Sequence, residues 1–218
     1  MFLSINEKAS GQKDTLFYIG DPMCSWCYGF SSELDKVKSV MFDIPFKIIL
    51  GGLRANGTET FGELKEFLSE HWREVHLNTK QPFSYTILND ENLIYNTEPA
   101  CRAVVAVRSL KPEAEYLYFK ELQSAFYEKN DDPTSLKTFS SLATKFGIEE
   151  SKFEKYYNSP VIINETERDF RYAYTLGVQG FPSIMVIKDN KLHKISNGYT
   201  TAQQIIHKLK MIGFPIQE

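Results

Sequence analysis

Apolar positions follow two different rhythms along this chain. Residues 15–20 (TLFYIG) and 46–50 (FKIIL) are short, continuous apolar runs, the mark of buried strands. Between them, Trp26, Phe30, Leu34, Val37 and Met41 recur near helical spacing, which predicts a helix over 25–40. Asp21-Pro22 separates the first strand from that helix, Asp43-Ile44-Pro45 ends it, and Gly51-Gly52 closes the second strand. Strand, helix, strand within about forty residues is a βαβ unit, which sets two parallel strands in one sheet.

The rhythm then changes. Residues 60–77 read as a helix and 82–96 as irregular chain. Thr97-Glu98-Pro99 opens a helix over 100–110, with proline at a tolerated early position, and Pro112 restarts one that runs to about 129. Asp131-Asp132-Pro133 starts a helix over 134–146, ended by Gly147, and 149–158 is a further short helix. Glycine is absent from 63–146, and no segment there alternates like a strand. After Pro160 a helix carries Ile163, Phe170 and Tyr174 up to Leu176. Gly177 closes it, 183–187 (SIMVI) reads as a strand, Asp189-Asn190-Lys191 as a turn, and 192–196 as its antiparallel partner. Gly198 precedes a last helix over 201–211. The order predicts an α/β protein with one mixed central sheet flanked by helices and split by a large all-helical insertion. The sheet domain would take 12–55 and 160–218, and the insertion 56–159.

Composition adds limits. With 218 residues, 42% hydrophobic and 24% charged, the chain can bury a core without disulfide staples. A net charge of −3 gives no electrostatic case for nucleic acid. No run approaches the ~20 apolar residues of a membrane span. Met1–Ser10 (MFLSINEKAS) lacks the basic flank and apolar run of a signal peptide, so a cytoplasmic protein is expected.

Only three cysteines are present, two of them spaced Cys24-Ser25-Trp26-Cys27. In a reducing compartment that spacing points to metal or redox chemistry. Structural zinc wants four ligands, and besides the pair the chain offers only Cys101, His71, His76, His193 and His207. His71 and His76 are five apart, off the face that two ligands on one helix would share. Redox chemistry suits the position better. Cys24 falls where a strand gives way to a helix, and the helix start, with its unpaired N–H groups, favours a thiolate there. Cys24 is then the exposed nucleophile, and Cys27, one turn further in, the buried resolving thiol. No cofactor or metal is needed. Cys101, beside Val104 and Val105, reads as a small buried hydrophobe, with a second redox thiol as the alternative. Arg102 suits a structural ion pair, and Trp72 the core or the insertion's surface, with a groove-lining role as the alternative.

The stretch Asp21-Pro22-Met23-Cys24-Ser25-Trp26-Cys27-Tyr28-Gly29-Phe30 resembles the active site of DsbA-like thioredoxin-fold proteins. It is most similar to their signal-less bacterial, FrnE-like branch of protein-disulfide isomerases. Gly177-Val178-Gln179-Gly180-Phe181-Pro182-Ser183 resembles that family's cis-proline loop, and Thr97-Glu98-Pro99-Ala100-Cys101-Arg102-Ala103 also resembles this branch. The likeness spans about residues 15–211. It implies a thioredoxin fold of DsbA type and a cis Phe181-Pro182 peptide. That peptide would expose the Phe181 backbone beside Cys24, where an extended substrate can bond as an added strand. Phe181, Pro182 and Trp26 are thus the candidate substrate-binding residues. One departure stands out: many thioredoxin-fold enzymes bury an acid six residues before the first cysteine, and here that residue is Tyr18. Water, Asp21 or Glu98 would then assist Cys27, with Ser25, Tyr18 and Asp21 in support.

The expected activity is thiol–disulfide exchange on cysteine-containing proteins or peptides, with glutathione as a candidate co-substrate and no membrane partner. Two rivals remain open: a glutathione-dependent small-molecule isomerase or kappa-type glutathione transferase on the same scaffold, and a non-catalytic binding or zinc module.

Overall fold

The computed structural model describes residues 13–41 and 43–217. The Met1–Ser10 segment and the two outer domain limits, 12 and 218, lie outside the described residues. Four strands form one sheet, β1 (Thr15–Gly20), β2 (Phe46–Leu50), β3 (Ser183–Lys188) and β4 (Lys191–Asn197), in the order β2-β1-β3-β4. β1 and β2 are parallel, with Tyr18 opposite Ile48, and β3 is antiparallel to both β1 and β4. All six residues of β1 are buried, which is why its sequence runs apolar without alternation.

Eight α-helices are described: α1 (Ser25–Ser39), α2 (Lys65–Thr79), α3 (Glu98–Leu110), α4 (Glu115–Tyr127), α5 (Leu136–Thr144), α6 (Glu150–Tyr157), α7 (Pro160–Thr175) and α8 (Ala202–Met211). The element order is that of a thioredoxin fold with a helical insertion between β2 and α7. Strand alternation divides the core in two. Phe17, Ile19, Ile49 and Met185 pack on Ala173 of α7. Leu16, Tyr18, Ile48, Leu50, Ile184 and Val186 join one continuous core with α1, α8 and the helices of the insertion. Trp72 is fully enclosed there, against Phe83, Phe126 and Tyr127.

Several helix limits differ from expectation for non-local reasons. The first predicted insertion helix begins at Lys65, not at 60. Phe61 N–H bonds Leu93 O and Gly62 N–H bonds Asp90 O, and Thr60 bridges Ile94, so tertiary partners hold 60–62 out of the helix. Its far end passes 77 to Thr79, where Lys80 turns left-handed at φ 63°. The segment after Pro112 opens with a 3₁₀ turn, Pro112–Ala114, before α4. The irregular stretch contains one more, Thr86–Asn89.

The outer edge of β2 is closed by side chains. Asp169 of α7 accepts the Leu50 N–H (3.0 Å), and Arg108 of α3 donates to Ile48 O (3.1 Å). Arg108 also bonds both Asp169 oxygens (3.2 and 2.8 Å) and Glu115 (2.6 Å).

Candidate active site

β1 ends at Gly20, and the loop Asp21 to Met23 carries the chain into α1. Cys24 takes the N-cap position with extended backbone (φ −88°, ψ 115°), so Cys27 falls in the first turn. Both thiols are free. Cys24 was expected to be exposed, yet only 5% of its surface is open. Its sulfur makes no cap bond to the helix and lies 3.9 Å from the carbonyl oxygen of Phe181 instead. That contact brings the loop before β3, with its cis Phe181-Pro182 peptide, against Cys24. The Phe181 ring rests on the backbone of Gly51, just after β2: a Cβ there would meet ring carbons at 2.1 Å and push the ring aside.

Cys27 is 1% exposed. Burial pushes its thiol proton affinity well up, the bond and charge of Cys24 add to that, and the Asp21 backbone and the Tyr18 phenol draw it back. The phenol at the expected acid position therefore acts on the Cys27 thiol. Burial, then the charge at Cys27, holds Tyr18 well above the ordinary tyrosine value. It is a donor and not a base. Phe30 stacks on it (6.1 Å) and Phe119 meets it edge-on (5.8 Å). A Cβ on Gly20 would lie 2.7 Å from Tyr18 Cζ and Oη, so this second glycine makes room for the phenol.

Asp21 is fully enclosed. Its carbonyl accepts the Cys24 N–H (3.1 Å), Oδ1 accepts the Met23 N–H (2.8 Å), and Oδ2 accepts the Leu53 N–H (2.7 Å). Cys101 Sγ donates to Oδ2 over 3.5 Å, and the Thr97 side chain favours the charged carboxylate. Among the described residues no cation pairs with it. Burial raises its proton affinity above the ordinary aspartate value, and Met23, Thr97, Leu53 and Cys101 oppose that rise.

Trp26 is half-buried, between Tyr199 (5.3 Å) and the edge of His71 (6.1 Å), and Ser25 is buried. Glu98 is engaged by Arg102 (3.0 Å), the ion pair expected of that arginine, while Arg102 lies over the Tyr157 ring (4.2 Å). Pro182 packs at the start of β3 and is buried. Cys101 does not simply fill space: its thiol donates to Asp21. Periodicity reveals none of this, because Thr97 and Cys101, one turn apart on α3, meet Asp21 from a distant part of the chain. Among the described residues no three His, Cys, Asp or Glu side chains converge to hold a metal ion, and no helix is long and apolar enough to cross a membrane.

The sequence matches the DSBA-like thioredoxin domain over residues 17–210. A candidate protein disulfide isomerase from Nitrosomonas europaea superposes with a TM-score of 0.85 at 33% identity, covering 92% of this chain and 97% of that one. The cytosolic disulfide reductase DsbM from Pseudomonas aeruginosa gives 0.78 at 21% identity, over 92% and 100% of the two chains. A 2-hydroxychromene-2-carboxylate isomerase shares the fold at a TM-score of 0.62 and 12% identity, over 91% and 94%. No curated protein matches the sequence.

Proposed function

The chain belongs to the DsbA-like thioredoxin-domain family, and from that premise we propose that it catalyses thiol–disulfide exchange on cysteine-containing proteins or peptides through Cys24 and Cys27. The observation that carries this reading is the placement of two free thiols in one helix turn, one against a substrate-facing carbonyl and the other against a phenol.

In the reducing direction, the Cys24 thiolate attacks one sulfur of a substrate disulfide, and the other sulfur leaves as a thiolate that takes up a proton. Cys27 then gives up its proton and attacks Cys24 Sγ, releasing the second substrate thiol. Two electrons pass from the pair to the substrate, and the pair is left as a disulfide. Tyr18 supports the second step by donating to the Cys27 sulfur as it ionises. The Phe181 carbonyl and Pro182 offer an extended substrate a backbone acceptor beside Cys24, and Trp26 supplies an apolar wall.

Reduction and isomerisation suit a reducing cytoplasm better than net oxidation. A cytoplasmic place accords with a relative described as a cytosolic disulfide reductase. Glutathione is the proposed co-substrate. That reductase has also been seen with GSH, which supports the choice. A net charge of −3 leaves nucleic acid without an attraction. A glutathione-dependent isomerase working through one nucleophile would leave Cys27 and its phenol without a task.

The test has two arms. In glutathione buffers of graded poise, the wild type should titrate between a dithiol and a Cys24–Cys27 disulfide. Cys27→Ser should stall as a mixed disulfide on Cys24. Failure to form the intramolecular disulfide at any poise, or undiminished turnover by Cys27→Ser, overturns the proposal.

A further inference from the structure

We propose that Cys101 is a positioning residue for the exchange reaction, a buried hydrogen-bond donor that, with Thr97, clamps the Asp21 carboxylate onto the backbone of the redox loop. The inference rests on the activity proposed above and adds a task for a cysteine outside the redox pair.

Asp21 brackets that loop twice. Its carbonyl holds the Cys24 N–H at 3.1 Å, and its carboxylate holds the Met23 N–H at 2.8 Å. The same carboxylate ties the loop to the end of β2 through the Leu53 N–H at 2.7 Å. An enclosed carboxylate without a cation keeps its charge only if donors surround it. Two donors come from side chains, and both belong to the start of α3. The Thr97 hydroxyl accepts the Arg54 N–H (3.2 Å) and favours the charged form of Asp21, while Cys101 donates its thiol to Oδ2. Burial, then the charge of Asp21, raises the Cys101 proton affinity well above the ordinary thiol value, so it remains a donor.

Other ionisable groups share this enclosure. Tyr95 comes from the segment before α3, Tyr127 from α4, and Cys24 and Cys27 from α1 and its cap; all four are neutral donors when protonated. Glu98 lies near Cys101, and Arg54 sits over the Tyr95 ring with its charge paired to Glu59. None of these replaces the thiol on Oδ2. Without that donor, Asp21 takes up a proton at a higher pH, and a protonated carboxyl holds the Met23 and Leu53 N–H groups less well.

Serine preserves the donor and alanine removes it, and this separates a donor from a space-filler. In a buried apolar slot serine is the worse substitute, whereas on a carboxylate alanine is. The readouts are the side-chain ¹³C titration of Asp21, assigned as the signal absent from Asp21→Asn, and the rate of exchange with oxidised glutathione at neutral pH. Cys101→Ala should move the Asp21 midpoint up by about one pH unit and slow exchange several-fold, and Cys101→Ser should restore both. Thr97→Val should shift the midpoint in the same direction and supplies a second variant if a Cys101 substitution fails to fold. Unchanged midpoints in Cys101→Ala and Thr97→Val, or serine performing no better than alanine, overturn the inference. The carbon titration reads the clamp even in a protein that exchanges nothing, so loss of the clamp and loss of the proposed activity are seen separately.

Discussion

Asp169 and Asp21 are both fully enclosed, and they are held in different ways. Asp169 sits on the outer side of β2 and meets Arg108 through both oxygens, at 3.2 and 2.8 Å. Asp21 sits at the end of β1 and meets only dipoles: two backbone N–H groups, a hydroxyl and a thiol. A carboxylate matched by a guanidinium serves as a tie between elements. One surrounded by neutral donors keeps a protonation state that can respond, and such groups gather where chemistry is done. Asp169 joins α7, α3 and β2, while Asp21 lies beside Cys24 and Cys27.

Four experiments would break or sharpen that contrast. The largest effect is expected for Asp169→Asn, which strands the Arg108 charge beside Glu115 alone. Denaturant unfolding should show a loss of about 3 kcal/mol, with exchange by the folded fraction retained. A loss in exchange out of proportion to stability would erase the distinction between the two aspartates.

Asp21→Asn comes next. Asparagine offers one acceptor where Met23 and Leu53 each need one, so one N–H faces another donor. The expected cost is about 1–2 kcal/mol, smaller than at Asp169. Exchange should nevertheless slow by about tenfold, because the redox loop loses its anchor. Stopped-flow oxidation by a small disulfide reads the rate, and a rate equal to the wild type's removes Asp21 from the site.

Tyr18→Phe leaves both aspartates untouched and serves as the control for the redox pair itself. Losing the phenol donor should lengthen the mixed-disulfide lifetime about fivefold while changing stability by less than about 1 kcal/mol. Quenched-flow alkylation measures that lifetime. An unchanged lifetime would show that Cys27 resolves without the phenol.

The smallest effect is a pH dependence of stability. Burial raises the proton affinity of Asp21, so the folded protein keeps that proton to a higher pH than the unfolded chain does. Ionised Asp21 therefore costs stability. The cost is full above the raised folded-state value, shrinks as pH falls through it, and vanishes below the ordinary value near ~3.9. The unfolding free energy of the wild type, minus that of Asp21→Asn, should rise as pH is lowered across that window. A flat or falling difference contradicts the neutral-donor description of the pocket.

Much of the fold was legible because single elements speak for themselves. The runs 15–20, 46–50 and 183–187 became β1, β2 and β3 nearly residue for residue, and the Pro and Gly punctuation located α3 and α7. The failure at 60–64 is instructive: Thr60 and Gly62 are drawn to Ile94 and Asp90, thirty residues away, which no local pattern can announce. The site divides in the same way. Cys24 and Cys27 declare themselves by spacing and by the strand–helix junction. The approach of Phe181 came from likeness to a family and not from periodicity. The meeting of Asp21 with Leu53, Thr97 and Cys101 joins three separate segments, and the two glycines that admit Tyr18 and Phe181 looked like ordinary strand ends.

The closure of β2 also bears on how copies of the protein meet one another. A strand left bare at the side of a sheet is a template for another chain, and stacking of that kind is a common route to insoluble aggregates. On this side a newcomer would find the Leu50 donor already taken by Asp169 and the Ile48 acceptor by Arg108. Edgewise growth is left to β4 on the far side, where Lys191 and Lys194 bring like charges to any self-pairing.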